Sequence, residues 1–163
     1  MRSKIIALAL LVITVCSTSS CLNDDNTEVT FYDDTAITSF SLGNFVYNVT
    51  LKAKDGKDSI VSRNAVGTNY PVFIDQTNHR IYNVDSLPVA TDMKHMLVSA
   101  YAKNGGSVLL KKIGSDSLQF FSSTDSLDFS VTRELTVYSQ SGLNTAKYTV
   151  DLVAHKEYAD SFE

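Results

Sequence analysis

The chain has 163 residues, of which 44% are hydrophobic and 10% aromatic, and its formal net charge at pH 7 is −4. This length and composition fit one domain with a sizeable core and leave little room for a second one. The acidic balance argues against nucleic acid as a partner, because binding to phosphate groups depends on clustered lysine and arginine.

Residues 1–20 have the pattern of an export signal and are not expected to belong to the fold. Arg2 and Lys4 form a short basic start, Ile5 to Val15 form an apolar run, and small residues then lead to Cys21. The apolar run is too short for a comfortable transmembrane span. Small residues before a cysteine resemble the lipobox of bacterial lipoproteins, in which the signal is cut before the cysteine and that cysteine is acylated. We therefore predict that Cys21 is the lipidation site.

Two alternatives to this assignment stay open. Cys16 is the weaker lipidation candidate, because bulky Val15 precedes it and it would leave with the signal. The other is an ordinary secretory signal that ends near a disulfide-forming cysteine, although cleavage before Cys21 leaves one cysteine and so no intramolecular disulfide. Acyl chains contribute about 0.8 kcal/mol per buried CH₂, so several of them on one cysteine give a stable membrane anchor.

Residues 21–35 are predicted to form the acylated cysteine and an acidic tether. Asp24 and Asp25 resemble the export signal that sends Bacteroidota lipoproteins to the outer face of the outer membrane, and the alternative for this pair is a plain solvated linker. Removal of residues 1–20 takes away two basic residues, which leaves 12 basic and 18 acidic residues and a net charge of −6. We expect a lipid-anchored outer-membrane protein that faces the extracellular side.

Short alternating segments separated by turn formers predict a β-rich domain over residues 36–156. The first strand candidate is 36–42, in which Ile37 and Phe40 are out of phase and indicate a bulge. Residues 90–96 are predicted to form one helical turn with Thr91 as its cap. The other strand candidates before the C-terminal region are 44–54 paired with 60–61, 70–75 paired with 80–84, 97–101, 107–113 and 117–121.

The region 128–155 has the pattern of a β-hairpin. Tyr148, Val150 and Leu152 alternate with more polar residues, so they are predicted to fill a shared core. A lone hairpin is marginal in water, and the earlier strands should therefore supply a second layer. The predicted fold is a single antiparallel β-sandwich, followed by a short C-terminal tail at 157–163.

The sequence offers no arrangement that indicates catalysis, a metal site or a cofactor. His79, His95 and His155 share no ligand spacing, and zinc or nucleophilic sites need several convergent groups. The sequence contains neither a Gly-x-Ser-x-Gly elbow nor a glycine-rich phosphate loop before a helix. Adjacent aspartates in the tether point apart, which is unsuitable for a glycosidase pair. We expect no catalytic residues, no metal, no cofactor and no enzymatic activity.

One triplet, aspartate followed by a hydroxyl residue and an aliphatic residue, recurs along the chain. It resembles the acceptor triplet of the general O-glycosylation system of exported Bacteroidota proteins. The alternative is structural, because Asp-Ser is common in turns and at strand starts. The candidate attachment residues are Thr35, Ser59, Ser86, Ser117 and Ser126.

A second group of candidates is aromatic. Exposed tyrosines can stack on sugar rings, but an aromatic residue on a strand more often packs half-buried against its sheet. A stacking role would suit a glycan-binding lipoprotein that works with outer-membrane nutrient uptake. The candidates for ligand stacking are Tyr32, Tyr47, Tyr82 and Tyr101.

Several segments of the chain together resemble a known family. They are 36–42, 70–76, 81–83 with 85–88, 91–95, and 127–130 followed by 136–138. These segments look like the N-terminal domain of Bacteroidota surface lipoproteins of domain-of-unknown-function family 6242, and the likeness covers nearly the whole mature chain. The resemblance implies an immunoglobulin-like domain without assigned enzymatic residues. It also implies a larger propeller-like domain that usually begins soon after a segment like 157–162.

The residues and the resemblance together favour one functional hypothesis. We expect a non-catalytic, surface-exposed lipoprotein module that spaces or presents a partner or a missing C-terminal domain. The alternative hypothesis is a glycan-binding lipoprotein, so the expected partners besides the membrane are a surface protein or a glycan.

Overall fold

The computed structural model describes residues 29–156, except residues 53, 55 and 121. The predicted signal at 1–20, the predicted sites Cys21, Asp24 and Asp25, and the predicted tail at 157–163 lie outside the described residues. The chain divides into a unit that ends at Thr30 and a unit that starts at Phe31, and the second unit carries all the elements below. In the described part, no helix is both long and apolar enough to cross a membrane.

The described domain consists of short strands with two single turns of 3-10 helix, at Gly67–Asn69 and Lys103–Gly105. The all-β class predicted from the sequence is confirmed. The strands are β1 (Ile37–Leu42), β2 (Phe45–Lys52), β3 (Asp58–Ala65), β4 (Val72–Asp75), β5 (Arg80–Asn83), β6 (Val98–Ala102), β7 (Ser107–Lys111), β8 (Leu118–Phe120), β9 (Arg133–Tyr138) and β10 (Thr145–Asp151).

The strands form one large sheet and two strand pairs. The large sheet has the order β4-β5-β10-β9-β7-β8, and the pairs are β1-β6 and β2-β3. The predicted sandwich is confirmed, with one correction to its antiparallel character, because β10 pairs with β5 in parallel. These two strands are far apart in sequence, and a long connection allows parallel neighbours where a tight hairpin allows only antiparallel ones.

The core lies on the inner face of the large sheet. Ile81, Leu135, Val137, Tyr148 and Val150 are all at most 1% exposed. They pack in one cluster with residues of the β1-β6 pair, namely Ile37, Phe40, Leu42 and Val98. Burial of one such side chain contributes about 1.5–3 kcal/mol, so this cluster supplies much of the stability.

Two local predictions have different outcomes. The bulge expected in the first strand is confirmed, because the pairing register of β1 shifts between Ile37 and Ser39. The helical turn predicted at 90–96 is wrong: Thr91 forms an antiparallel bridge with Tyr47 on β2. The Thr91 hydroxyl donates to the Pro88 carbonyl at 2.7 Å and does not cap a helix. Pairing with β2 therefore overrides the local helix signal.

The C-terminal hairpin follows the predicted alternation over most of its length. Tyr148 and Val150 are fully buried, as expected. Leu152 lies beyond the end of β10 and is only partly buried, although it still packs against the core. The phase of the strand is therefore right, and its inward face ends one side chain earlier than expected.

Candidate functional site

The chain reaches the domain along the turn between β9 and β10. The Tyr32 N–H donates to Gln140 Oε1 at 3.3 Å, and the Tyr32 carbonyl accepts from the Ser141 N–H at 3.1 Å. The Ser141 hydroxyl donates to the Asp33 carboxylate, and the Asn144 side chain donates to the Asp33 carbonyl at 3.3 Å. Two consecutive residues are thus held by one turn.

The next residues bind a second loop. The Lys103 ammonium donates to Asp34 Oδ1 at 2.9 Å, and the Asn104 side chain donates to Oδ2 of the same carboxylate. These hydrogen bonds, that of Lys103 first, hold the pKa of Asp34 below its ordinary value of 3.8. The Lys103 N–H also donates to the Ala36 carbonyl at 2.8 Å. We call residues 32–36 the N-terminal latch, and most of them were predicted to belong to the tether.

The C-terminal end of the described domain is held by a second set of bonds. The Asn83 side chain donates to the carbonyls of Asp85 at 2.7 Å and Val153 at 2.8 Å, and its Oδ1 accepts from the Val153 N–H at 2.8 Å. The Leu87 N–H donates to the Val153 carbonyl at 2.9 Å, and the His155 N–H donates to the Leu87 carbonyl at 2.8 Å. We call these five residues the C-terminal clamp.

The latch and the clamp lie at opposite ends of β10. The latch binds the turn that ends at Asn144, directly before the first residue of β10, whereas the clamp lies just past its last residue, Asp151. A strand rises about 3.4 Å per residue, so the seven residues of β10 span about 20 Å between the turn that the latch binds and the clamp. The latch and the clamp therefore hold the two ends of the described domain at opposite ends of one strand of the large sheet.

The four candidate tyrosines are not brought together. Tyr32, Tyr82 and Tyr101 are 49%, 37% and 61% exposed, whereas Tyr47 is half-buried and packs against the core. Among the described residues, no aromatic ring pair joins two of these four. Tyr82 contacts Phe73 instead, with ring centroids 5.5 Å apart and planes inclined by 49°. Among these candidates, the described part of the chain therefore shows one exposed aromatic pair, Phe73 with Tyr82, and no row of tyrosines.

The candidate glycosylation residues differ in exposure. Ser59, Ser117 and Ser126 are exposed, and Thr35 and Ser86 are half-buried. Thr35 lies within the latch and Ser86 lies next to the clamp residue Leu87, so both are close to docked backbone. Accessible attachment would favour the first three residues.

The histidines lie apart, each with its own environment. The His79 ring packs on the Tyr148 ring at 4.7 Å, and His95 Nδ1 lies 2.8 Å from Asp92 Oδ2. His155 belongs to the clamp. Within the described residues, no group of three or more His, Cys, Asp or Glu is arranged to hold a metal ion.

A groove of about 440 Å³ lies between β2 and the segment 88–90. The segment lies apart from β2 before Ala90, and pairing with β2 begins at Ala90 and continues through Thr91 and Asp92. The φ of Ala90, +54°, is in the left-handed region that non-glycine residues rarely adopt. The residues that line the groove are Tyr47, Asn48, Val49, Thr50, Ile60, Pro88, Val89 and Ala90.

Sequence reasoning missed the latch, the clamp and the groove. Their partners are distant in sequence, such as Asp34 with Lys103 and Asn83 with Val153, and no local pattern links them. The sequence does hold one signal for the role of Asn83, because this polar residue has the same strand phase as buried Ile81 on β5. A polar side chain on the inward face of a strand needs a hydrogen-bonding partner.

Three comparisons place the chain among known proteins. A search of solved structures finds a protein from Bacteroides fragilis, assigned as secreted, with 15% sequence identity and a TM-score of 0.49, covering 78% of this chain and 100% of that one. A search of curated proteins finds no match. The family profile described as the domain of unknown function DUF6242, N-terminal domain, matches residues 40–152, from within β1 to just past β10. The chain therefore belongs to the DUF6242 N-terminal domain family, as its sequence resemblance implied.

Proposed function

We propose that this protein is a non-catalytic lipoprotein module on the outer-membrane surface that spaces or presents a partner or domain located beyond its C-terminal clamp. The observation that carries the proposal is the placement of the latch and the clamp at opposite ends of β10. Chain segments that run from a membrane anchor on the Cys21 side and to a partner or domain beyond Lys156 would then join the domain at opposite ends of a strand about 20 Å long, inside a six-stranded sheet.

The arrangement of polar groups supports the non-catalytic part of the proposal. Catalysis needs a nucleophile or base, its orienting partner and stabilising donors within hydrogen-bond reach of one another. The polar clusters of the described domain instead hold backbone segments, as Asn83 holds Val153 and Asp34 holds the loop at Lys103. Turnover of a substrate that one point change abolishes while the fold stays intact would contradict this part.

Glycan binding is the second candidate, and one observation favours it. Phe73 and Tyr82 are adjacent and exposed, and the Arg80 guanidinium lies 6.0 Å from the Tyr82 ring centre. Saccharide binding on a glycan array, lost with Tyr82→Ala and retained with Tyr138→Ala, would support this candidate. Capture of a protein partner without saccharide binding would support presentation.

Spacing can be tested by energy transfer from the domain to the membrane. Leu143 is 82% exposed on the turn next to the latch, and Lys156 is exposed just after the clamp. A donor dye is attached to Leu143→Cys or to Lys156→Cys, and each anchored variant is reconstituted into vesicles that contain an acceptor lipid. The efficiency of energy transfer from the two positions is then compared. The predicted acylation of Cys21 blocks its thiol, so the dye would label the introduced cysteine alone.

We expect stronger transfer from position 143 than from position 156, because the anchored side of the domain is the latch side. Asp34→Ala, which weakens the latch, should reduce the difference between the two positions. Equal transfer from both positions in the unmodified latch would contradict a spacing role.

A further inference from the structure

The β2-β3 hairpin has one edge that its own chain covers only in part. The Asn48 N–H donates to the Ala90 carbonyl at 3.1 Å, and the Asp92 N–H donates to the Val46 carbonyl at 2.8 Å. Even-numbered residues of β2 therefore direct their backbone groups away from β3 and towards this edge. The segment 90–92 shows that the edge accepts an antiparallel strand.

The pairing between the segment 90–92 and β2 ends at Asn48, although β2 continues to Lys52. Backbone direction alternates along a strand, so Thr50 and Lys52 present their N–H and C=O groups on the same side as Asn48. Among the described residues, the segment that would have paired with Thr50 turns away at Ala90, with the Thr91 N–H donating to the Pro88 carbonyl at 3.3 Å. A strand edge left open in this way is a template for another chain.

The groove lies at this open part of the edge. Thr50 forms one wall, the segment 88–90 forms the other, and Val49, Ile60 and Val89 add apolar surface. Ile60 is 73% exposed, which is high for an isoleucine on a strand. Ala90, which lines the groove, has a left-handed backbone that is uncommon for a residue other than glycine. The site thus combines open backbone groups with a place for an aliphatic side chain.

Charge distinguishes between two possible occupants of this edge, a second copy of this chain and an acidic segment of another protein. Residues 45–65 hold four basic and two acidic residues, a local net charge of +2 in a chain whose net charge is −4. A second copy would have to pair through Thr50 and Lys52, since Val46 and Asn48 are already bonded. That pairing sets Thr50 of one copy opposite Lys52 of the other and brings two hairpins of the same net positive charge against each other, which like-charge repulsion disfavours.

We propose that the open edge of β2, from Thr50 onward, binds an extended acidic segment of a partner protein as an added antiparallel strand. The partner's backbone pairs with Thr50 and Lys52, one aliphatic side chain enters the groove, and acidic side chains face the basic hairpin. Strand addition of this kind takes affinity from main-chain hydrogen bonds and specificity from pockets for alternate side chains. The site is independent of the spacing role, because it uses neither the latch nor the clamp.

The test uses the full protein in detergent and a fluorescein-labelled octapeptide of alternating glutamate and valine. Fluorescence anisotropy is expected to show saturable binding that weakens at least tenfold in Thr50→Pro, which removes the outward N–H. Proline is tolerated where the N–H of an edge strand faces outward, so the hairpin should remain. Thr50→Ala is the matched control: it keeps the N–H, and its affinity should stay within twofold.

Two peptide controls keep the proposal falsifiable if Thr50→Pro fails to fold. The same octapeptide with N-methyl groups at alternate valines should lose binding, and one with lysine in place of glutamate should bind at least tenfold more weakly. The proposal is overturned by absence of binding at millimolar peptide, or by equal binding of the N-methylated or lysine peptide. A concentration-dependent dimer that Thr50→Pro dissolves would also overturn it, because a second copy would then occupy the edge.

Discussion

At the scale of single residues, Tyr148 connects the two layers of the fold. Its hydroxyl donates to Gln76 Oε1 at 2.6 Å, and Gln76 Nε2 donates to the Ile37 carbonyl at 2.6 Å. Burial raises the pKa of Tyr148 above its ordinary value of 10.0, so the hydroxyl keeps the proton that it donates. One chain of hydrogen bonds therefore joins β10, the turn after β4, and β1.

Removal of this hydroxyl should destabilise the domain. Tyr148→Phe removes the hydrogen bond from this buried hydroxyl to the exposed residue Gln76, and a typical intramolecular hydrogen bond contributes about 0.5–1.5 kcal/mol. Urea unfolding should show a loss of this size for Tyr148→Phe. Tyr138→Phe, on half-buried Tyr138 at the end of β9, should change the free energy of unfolding little. Similar losses for both variants would mean that the Gln76 bond contributes nothing specific.

The inward faces of the last hairpin could be predicted from the sequence, whereas these polar partners could not. Leu135, Val137, Tyr148 and Val150 follow a period of two, which a strand imposes whatever surrounds it. Gln76 occurs in a tetrapeptide of turn formers, and nothing there shows that its amide points inward. Its role depends on the placement of β1, nearly forty residues earlier in the chain.

The apolar pattern of β9 gives a prediction at the scale of the element. Leu135 is fully buried at the centre of the large sheet, so Leu135→Ala should lower the free energy of unfolding by about 2–5 kcal/mol. Leu152→Ala should have a smaller effect, because Leu152 is only partly buried beyond the end of β10. Thr149→Ala, on the exposed face of β10, serves as the control in thermal unfolding. An equal shift for all three variants would contradict the observed burial.

The N-terminal latch is an element that local sequence signals describe wrongly. Residues rich in Asp and Thr are typical of linkers, and this composition predicted a tether as far as Thr35. The structure instead holds Tyr32 to Asp34 on two loops more than sixty residues away in sequence. Such docking depends on donors that the fold assembles, and composition alone carries no information about them.

The latch should also respond to pH in a defined direction. Because the folded pKa of Asp34 lies below 3.8, its contribution to docking is present above that pH and is lost as pH falls through the lowered value. The amide of Lys103, which donates to the Ala36 carbonyl, should stay protected from hydrogen exchange at pH 5 and lose protection below pH 3.8. In Asp34→Ala, it should exchange faster even at pH 7.

Asp85→Ala, which removes a carboxylate on a different loop, controls for the change in net charge. It should leave exchange at Lys103 unchanged at both pH values. Protection that persists in Asp34→Ala would mean that the backbone bonds of the latch suffice without the carboxylate.

At the scale of the whole molecule, the sequence predicted the class of fold but not its connections. Hairpins between neighbouring strands, such as β2-β3 and β4-β5, follow from turn residues between alternating segments. The parallel pair β5-β10 and the clamp beyond it join regions about seventy residues apart, for which one sequence holds no pairing signal. The proposed spacing role depends on these connections, because they fix where the C-terminal end of the described domain lies.

That role also requires a firm anchor on the latch side, which gives the last prediction. Metabolic labelling with a fatty-acid probe should mark the wild-type protein and Cys16→Ala but not Cys21→Ala. The small residues before Cys21 suit cleavage, whereas Cys16 directly follows the apolar run and would be lost with it. Cys21→Ala should also release the protein from the membrane fraction, because the acyl chains on Cys21 are the proposed anchor. Labelling that survives in Cys21→Ala and is lost in Cys16→Ala would transfer the anchor to Cys16 and lengthen the segment before the latch by five residues.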